Sequence, residues 1–215
     1  MLVLAFDTAT PAVTAALHDG GRVLAESTTI DARRHGELLV PTIETVLRES
    51  GAALRDVTAI VAGSGPGPYT GLRVGLMTAQ GLSTTLGVPA YGVCTLDAVA
   101  YGSGLGEPFL VATDARRKEV FWARYADMRT RLAGPFVDRP AEVPVQGMPV
   151  VGAGAALYPE ILGHQGDAPL YPFAGSLAAL AAERLAEGTP LDPPRPIYLR
   201  RPDAVVPGAP KRVTA

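Results

Sequence analysis

The sequence predicts an α/β fold built on a mixed five-stranded sheet, with a smaller second lobe behind it. Two observations carry the prediction. Three short apolar segments open the chain and are joined by tight turns, after which the hydrophobic period changes from two to about 3.6. From there helix and strand alternate as far as residue 93, the pattern of a sheet with helical crossovers.

The elements follow in order. "LVLAF" (2–6) is short and apolar throughout, as a central strand requires. "AVTAALHD" (12–19) and "GRVLAEST" (21–28) flank the turn signal "DGG", so the first three strands form an antiparallel meander. "HGELLVPTIETVLRESG" (35–51) is an amphipathic helix: Leu39, Ile43, Val46 and Leu47 share one face, and Gly51 stands at the C-terminal cap. Pro41 implies that this helix either begins close before it or kinks there. "VTAIVAG" (57–63) is a buried strand, a helix is expected over 70–86, and "PAYGV" (89–93) is the fifth strand. This order resembles the ribonuclease-H-like unit of the actin-like ATPase superfamily.

A second half begins near residue 105. "PFLVATDARRKEVFWARYA" (108–126) reads as two strands joined by a polar turn, "MPVVGAG" (148–154) as another strand, and "SLAALAAERLAEG" (176–188) as an amphipathic helix closed by Gly188. The remainder is too short for a full partner lobe of that superfamily. The expected organisation is a complete lobe over 1–104, a reduced lobe over 105–200 and a proline-rich tail over 201–215.

Composition narrows the function. Among 215 residues, 47% are hydrophobic and the formal net charge is -2, so the chain affords a core but no broad basic surface for nucleic acid. Lys118 and Lys211 are its two lysines, a bias that fits GC-rich coding. The single cysteine, Cys94, excludes an internal disulfide and any cysteine-based zinc cluster. "MLVLAFDTAT" reads as a strand rather than a signal peptide, and no apolar run reaches the ~18 residues of a membrane helix. The expectation is a soluble, cytoplasmic protein.

Candidate chemistry is sparse. "DTAT" after the first strand resembles the phosphate loop of actin-like ATPases, which makes Asp7 and Thr8 candidate nucleotide contacts; the competing reading is an aspartate that shapes a turn. A nucleotide site of that kind also needs a second phosphate loop from the other lobe, so neither ATP nor ADP is expected to bind. Asp7 with Asp114 suggests a two-carboxylate metal site, but no third acid joins them. His18, His35 and His164 offer no pair at helical spacing, and no metal site is expected. No G-x-S-x-G elbow is present, and Cys94 reads as a small buried hydrophobe. No catalytic residue is assigned.

The most unusual stretch is "GSGPGPYTGLRVGLMTAQGL" (63–82). It has no nearby lysine, and Pro66 and Pro68 remove two donors that a phosphate cradle needs. Gly71, Gly75 and Ala79 recur every four residues and leave one helix face nearly bare. That face accommodates either a neighbour within its own lobe or a helix of another protein.

The segments "LAFDTATPAVTAAL" (4–17), "RRHGELLVPTIETVL" (33–47), "GPGPYTGLRVGL" (65–76), "GVCTLDAVA" (92–100), "DARRKEVFWARY" (114–125) and "PIYLRRPDA" (196–204) resemble, in order, those of the bacterial TsaB family, also called YeaZ. "GPGPYTGLRVG" is the most specific; Pro68 departs from the small residue usual there. The resemblance implies an actin-like fold and a non-catalytic paralogue of TsaD, the protein that carries threonylcarbamoyl transfer to adenosine 37 of tRNAs reading codons that start with A. TsaD-like chains carry an H-x-x-x-H metal pair where Thr95 and Val99 stand here, and their S-G-G-H loop falls near "ATDARR" (112–117). The third metal ligand of that family, a C-terminal aspartate, is expected to lie beyond this chain's end. The resemblance further implies a heterodimer with TsaD, a homodimer when alone, association with the ATPase TsaE, and contact with tRNA only within the complex. The contact carried over is the helix pair 35–50 and 70–86, with His35, Leu39, Ile43, Val46, Leu72, Gly75, Leu76 and Ala79 as the expected partner-binding residues. The alternative is an ATPase or peptidase acting alone.

Overall fold

The computed structural model describes residues 1–163 and 166–200. The first sheet has the order β3-β2-β1-β4-β5, formed by β1 (Val3–Asp7), β2 (Ala12–His18), β3 (Val23–Ile30), β4 (Ala59–Gly63) and β5 (Ala90–Val93). β1 pairs antiparallel with β2 and parallel with β4, and β4 pairs parallel with β5. Only β2 runs against the others, which is the expected mixed sheet.

Both faces of this sheet are covered, which explains why β1 and β4 read as unbroken apolar runs rather than alternating ones. Leu4 and Phe6 point to one face, where α1 (His35–Ser50) and α2 (Tyr69–Leu86) pack. Val3 and Ala5 point to the other, against Leu177, Ala178 and Ala181 of α6 (Ala174–Ala186). Each large aliphatic side chain buried this way contributes roughly 1.5–3 kcal/mol. Both α1 and α2 end on a glycine in the left-handed region, Gly51 and Gly87. Pro41 lies inside α1, in its second turn, on the solvent side, where the donor it lacks leaves no buried carbonyl orphaned.

The second sheet has the order β8-β7-β6-β9, from β6 (Phe109–Asp114), β7 (Val120–Asp127), β8 (Thr130–Asp138) and β9 (Val150–Val151). Its meander and its parallel fourth strand repeat the order of the first sheet and stop one strand short. A 3-10 turn at Pro140–Glu142 stands where α1 stands in the first lobe, and the short helices α4 (Ala153–Leu157) and α5 (Pro159–Leu162) stand where α2 does. α3 (Thr95–Ser103) joins the sheets, with Leu96, Val99 and Ala100 packed on Phe109, Val111 and Tyr125.

Two expectations are corrected. The sequence reading passed over α3 and β8, and the strand expected at 148–154 is two residues long. More importantly, α6 falls inside the stretch expected to form the second lobe, 105–200, yet packs on the first sheet. The first lobe is therefore assembled from both ends of the chain, and the boundary at 104/105 divides the sheets but not the helices. Its run of Ala and Leu fits flush against the small residues of β1 and β2, which is why it crosses over.

Residues 190–200 have little regular structure, as four prolines dictate, but they are pinned as a strap. Gly92 N–H donates to Asp192 O at 2.8 Å, which covers the edge of β5, and Ile197 N–H donates to Ser64 O at 2.8 Å. The tail expected over 201–215 lies outside the described residues.

Candidate functional site

β1 delivers Asp7 to the sheet's C-terminal edge, but buries it completely. Its Oδ1 accepts the Ala9 N–H at 2.6 Å and its Oδ2 accepts the Thr95 hydroxyl at 2.6 Å. Thr95 in turn accepts the Gly65 N–H at 3.1 Å. A Cβ on Gly63 would lie 1.7 Å from Asp7 Oδ2, so only glycine fits beside it. Burial raises the Asp7 carboxyl from 3.8 to about 6, although the Thr95 and Ala9 hydrogen bonds pull it down. Both carboxylate oxygens thus serve the chain itself, in a group closed off from solvent.

The glycine-rich stretch closes over the same loop. A Cβ on Gly67 would lie 2.0 Å from Ala9 O. The Thr8 hydroxyl donates to Gly71 O at 2.7 Å and accepts the Gly75 N–H at 3.0 Å. Gly71 and Gly75 are four apart in α2, so Thr8 bridges a carbonyl and an N–H that face each other along the helix. A Cβ on Gly71 would lie 2.5 Å from Thr8 O, and one on Gly75 would lie 2.7 Å from Thr8 Oγ1. The bare face of α2 makes room for β1 and its loop.

The expected partner-binding residues, His35 apart, turn inward in this fold. Leu39, Ile43, Val46, Leu72, Gly75, Leu76 and Ala79 are all buried against the chain's own sheet. The reason is ordinary amphipathicity: the strongest apolar stripe of a helix turns to its own core. Of the expected set, His35 alone is partly exposed, and its Nε2 donates to Thr10 O at 2.8 Å. The surface that α1 and α2 do present carries other residues. Val40 and Met77 are 52% and 61% exposed. A Cβ on Gly36 would lie 3.9 Å from Val74, which sets the level of the two parallel helices, and one turn further along stand Val40 and Met77. Glu37, Pro41 and Glu44 of α1 and Arg73, Gln80 and Gly81 of α2 surround them.

The other sequence candidates are dispersed. Asp114 holds its own hairpin, accepting the Arg116 N–H at 2.7 Å and pairing with its guanidinium at 3.2 Å. Arg116, Arg117 and Lys118 follow with φ of 60°, 56° and 61°, left-handed conformations that the aspartate's turn stabilises. His18 Nδ1 accepts the Gly20 N–H at 3.0 Å. His164 lies outside the described residues. Cys94 is buried, and desolvation pushes its thiol up to about 12, which keeps it protonated at neutral pH. Thr95 and Val99 are both buried. Among the described residues no three His, Cys, Asp or Glu side chains gather where a metal ion would fit. No described helix is long and apolar enough to cross a membrane.

The sequence reading also missed the inter-lobe cleft, a cavity of about 480 Å³. Tyr198 of the strap stacks on Tyr69 with ring centroids 4.4 Å apart and accepts Arg73 Nε–H at 3.2 Å. Arg200 donates to Ala115 O at 2.8 Å, pairs with Glu119 and lies over the Phe121 ring at 5.8 Å. The strap therefore ties α2 to the β6–β7 hairpin. The only sequence signal was the aromatic and the two arginines of "PIYLRR", set in a segment whose prolines suggest a loose tail.

With this geometry in place, similarity to other proteins is informative. The family profile described as "TsaD: tRNA N6-adenosine threonylcarbamoyltransferase" matches residues 22–191. The tRNA threonylcarbamoyladenosine biosynthesis protein TsaB of Escherichia coli is 32% identical over 220 residues, 93% of this chain and 95% of that protein. The chain belongs to the TsaB family. The solved structure of YeaZ from Pseudomonas aeruginosa superposes on this TsaB-family chain with a TM-score of 0.79 and 33% identity, covering 92% of it and 99% of the other. An uncharacterised protein of Mycobacterium tuberculosis is 44% identical over 205 residues, 94% of this chain and 93% of that one. The two-lobed actin-like fold and a place in the tRNA threonylcarbamoyladenosine pathway follow from this membership.

Proposed function

We propose that this chain is a non-catalytic partner subunit for forming N6-threonylcarbamoyladenosine at position 37 of tRNAs that read codons starting with A. It binds and activates TsaD, and TsaE joins the pair. It works in the cytoplasm and meets tRNA within that complex. The observation that carries the reading is the outward face of α1 and α2, where Val40 and Met77 are 52% and 61% exposed among small and polar neighbours. An apolar pair at the centre of a polar rim is the composition of a protein interface. Alone, two copies of the chain associate through the same face. The closed Asp7 loop supports a subunit without its own nucleotide chemistry, since both carboxylate oxygens are engaged by Ala9 and Thr95.

The test is reconstituted threonylcarbamoyl transfer with TsaD, TsaE and the enzyme that makes the activated intermediate. Val40→Glu/Met77→Glu changes only exposed positions, so its stability stays within about 0.5 kcal/mol of wild type. It loses TsaD binding, self-association and transfer together. Full transfer and intact TsaD binding by this variant refute the interface.

A further inference from the structure

A second cavity lies beneath the strap, with Ser64 and Ile197 in its lining and a volume of about 390 Å³. Asp97 of α3 forms its floor and is 5% exposed. Its Oδ1 accepts the Tyr125 hydroxyl at 2.8 Å and lies 3.3 Å from Arg131 Nη1; its Oδ2 lies 3.5 Å from Arg184 Nη2. Arg131 comes from β8 and Arg184 from α6, so three elements converge on one carboxylate. Arg195 of the strap closes the cavity from above.

The charges do not balance. Three guanidiniums line the cavity against two carboxylates, Asp97 and Asp192, which leaves a net charge of +1. The Cys94 thiol is neutral here and adds no negative charge. Each guanidinium carries five N–H donors in a fixed fork. Arg131 and Arg184 each bring one nitrogen to Asp97, and among the described residues Arg195 makes no ion pair. The lining prolines at 190, 193 and 196 bring no backbone N–H of their own, so Arg195 supplies the side-chain donors on the strap's side. A compact oxyanion meets both requirements: it neutralises the excess charge and accepts from several forks at once.

We infer that this cavity binds a phosphate group, held by Arg131, Arg184 and Arg195 and fastening the strap to α3 and α6. The site is separate from the outward face of α1 and α2, and its test does not depend on threonylcarbamoyl transfer. Binding of inorganic phosphate to the full chain is followed by calorimetry and by the unfolding midpoint, at constant ionic strength with chloride as the control. Wild type binds saturably. Arg195→Gln, which removes a side chain with no ion pair and leaves the Asp97 cluster intact, weakens binding about tenfold or more, as loss of a charge-assisted hydrogen bond requires. Arg184→Gln does the same, but also removes a partner of Asp97, so Arg195→Gln is the deciding variant. AMP as competitor identifies the source: equal or tighter binding at this site assigns the phosphate to a nucleotide, and no competition assigns it to the free ion. A midpoint shift that does not saturate, or is equal in wild type and Arg195→Gln, is the general effect of an excluded salt and overturns the inference.

Discussion

Gly75→Ala separates two explanations of the glycine stripe in α2. In a helix interior this change ordinarily stabilises by about 1 kcal/mol. Here the new Cβ lies 2.7 Å from Thr8 Oγ1, with Thr8 Cβ at 3.8 Å and Phe6 Cδ2 at 4.0 Å, so the hydroxyl is the only severe clash. Relieving it displaces a hydroxyl that bonds Gly71 O and the Gly75 N–H. Overpacking costs about 1–3 kcal/mol and stranding a buried polar group about as much again. The net effect is a loss of roughly 1–5 kcal/mol, and each kcal/mol lowers the midpoint by about 2–4 °C in a chain of this size. In a Thr8→Ala background the obstacle is gone and the Gly75 N–H is free to bond Gly71 O directly, so the same change becomes neutral or stabilising by up to about 1 kcal/mol. Denaturant unfolding of the four proteins gives the coupling energy. A coupling below about 0.5 kcal/mol means the two sites are independent and refutes the account. Unchanged stability with lost TsaD binding would instead return the stripe to a partner's helix.

Other consequences are open to direct measurement. Asp7 has its carboxyl raised from 3.8 to about 6 on folding, so the folded chain holds the proton more tightly than the unfolded one. Its contribution is therefore full below pH 3.8 and lost as pH rises through 6, about 3 kcal/mol at 1.36 kcal/mol per unit; Asp7→Asn removes this slope from the stability–pH curve. Tyr198→Ala deletes the stack on Tyr69 and the bond from Arg73, lowers stability by about 0.5–2 kcal/mol, and exposes residues 190–200 to limited proteolysis while the core stays intact. Cys94, buried with its thiol near 12, resists a soluble thiol reagent in the native chain and reacts at once in denaturant.

Much of the first lobe was legible, because its signals are local. The switch from period two to 3.6 at His35, the left-handed cap at Gly51, and the unbroken apolar runs of β1 and β4 each report on their own segment. The residues expected to meet a partner lie in the core instead. Leu39, Ile43 and Val46 form the strongest stripe of α1, and strength of stripe measures affinity for the core, not for a partner. Val40 and Met77 are single apolar residues among polar ones, a pattern no periodicity detects. The role of Gly71 and Gly75 was hidden for another reason: their neighbour is Thr8, more than sixty residues away, and a sequence window holds no record of such a meeting. The strap was obscured by its prolines, which forbid regular hydrogen bonding but not the stacking of Tyr198 on Tyr69.

The return of α6 to the first sheet has a consequence for how the chain comes into being. Val3 and Ala5 leave the ribosome more than 170 residues ahead of their cover, Leu177 and Ala181. At the usual pace of about 5–20 residues per second, the rear of the first sheet stays bare for roughly ten seconds or more while the second lobe is still being made. The two lobes are thus two sheets but a single act of folding. A fragment ending before residue 174 would carry every strand of the structure and still expose an apolar wall, a template for aggregation in which nothing else in the chain is at fault.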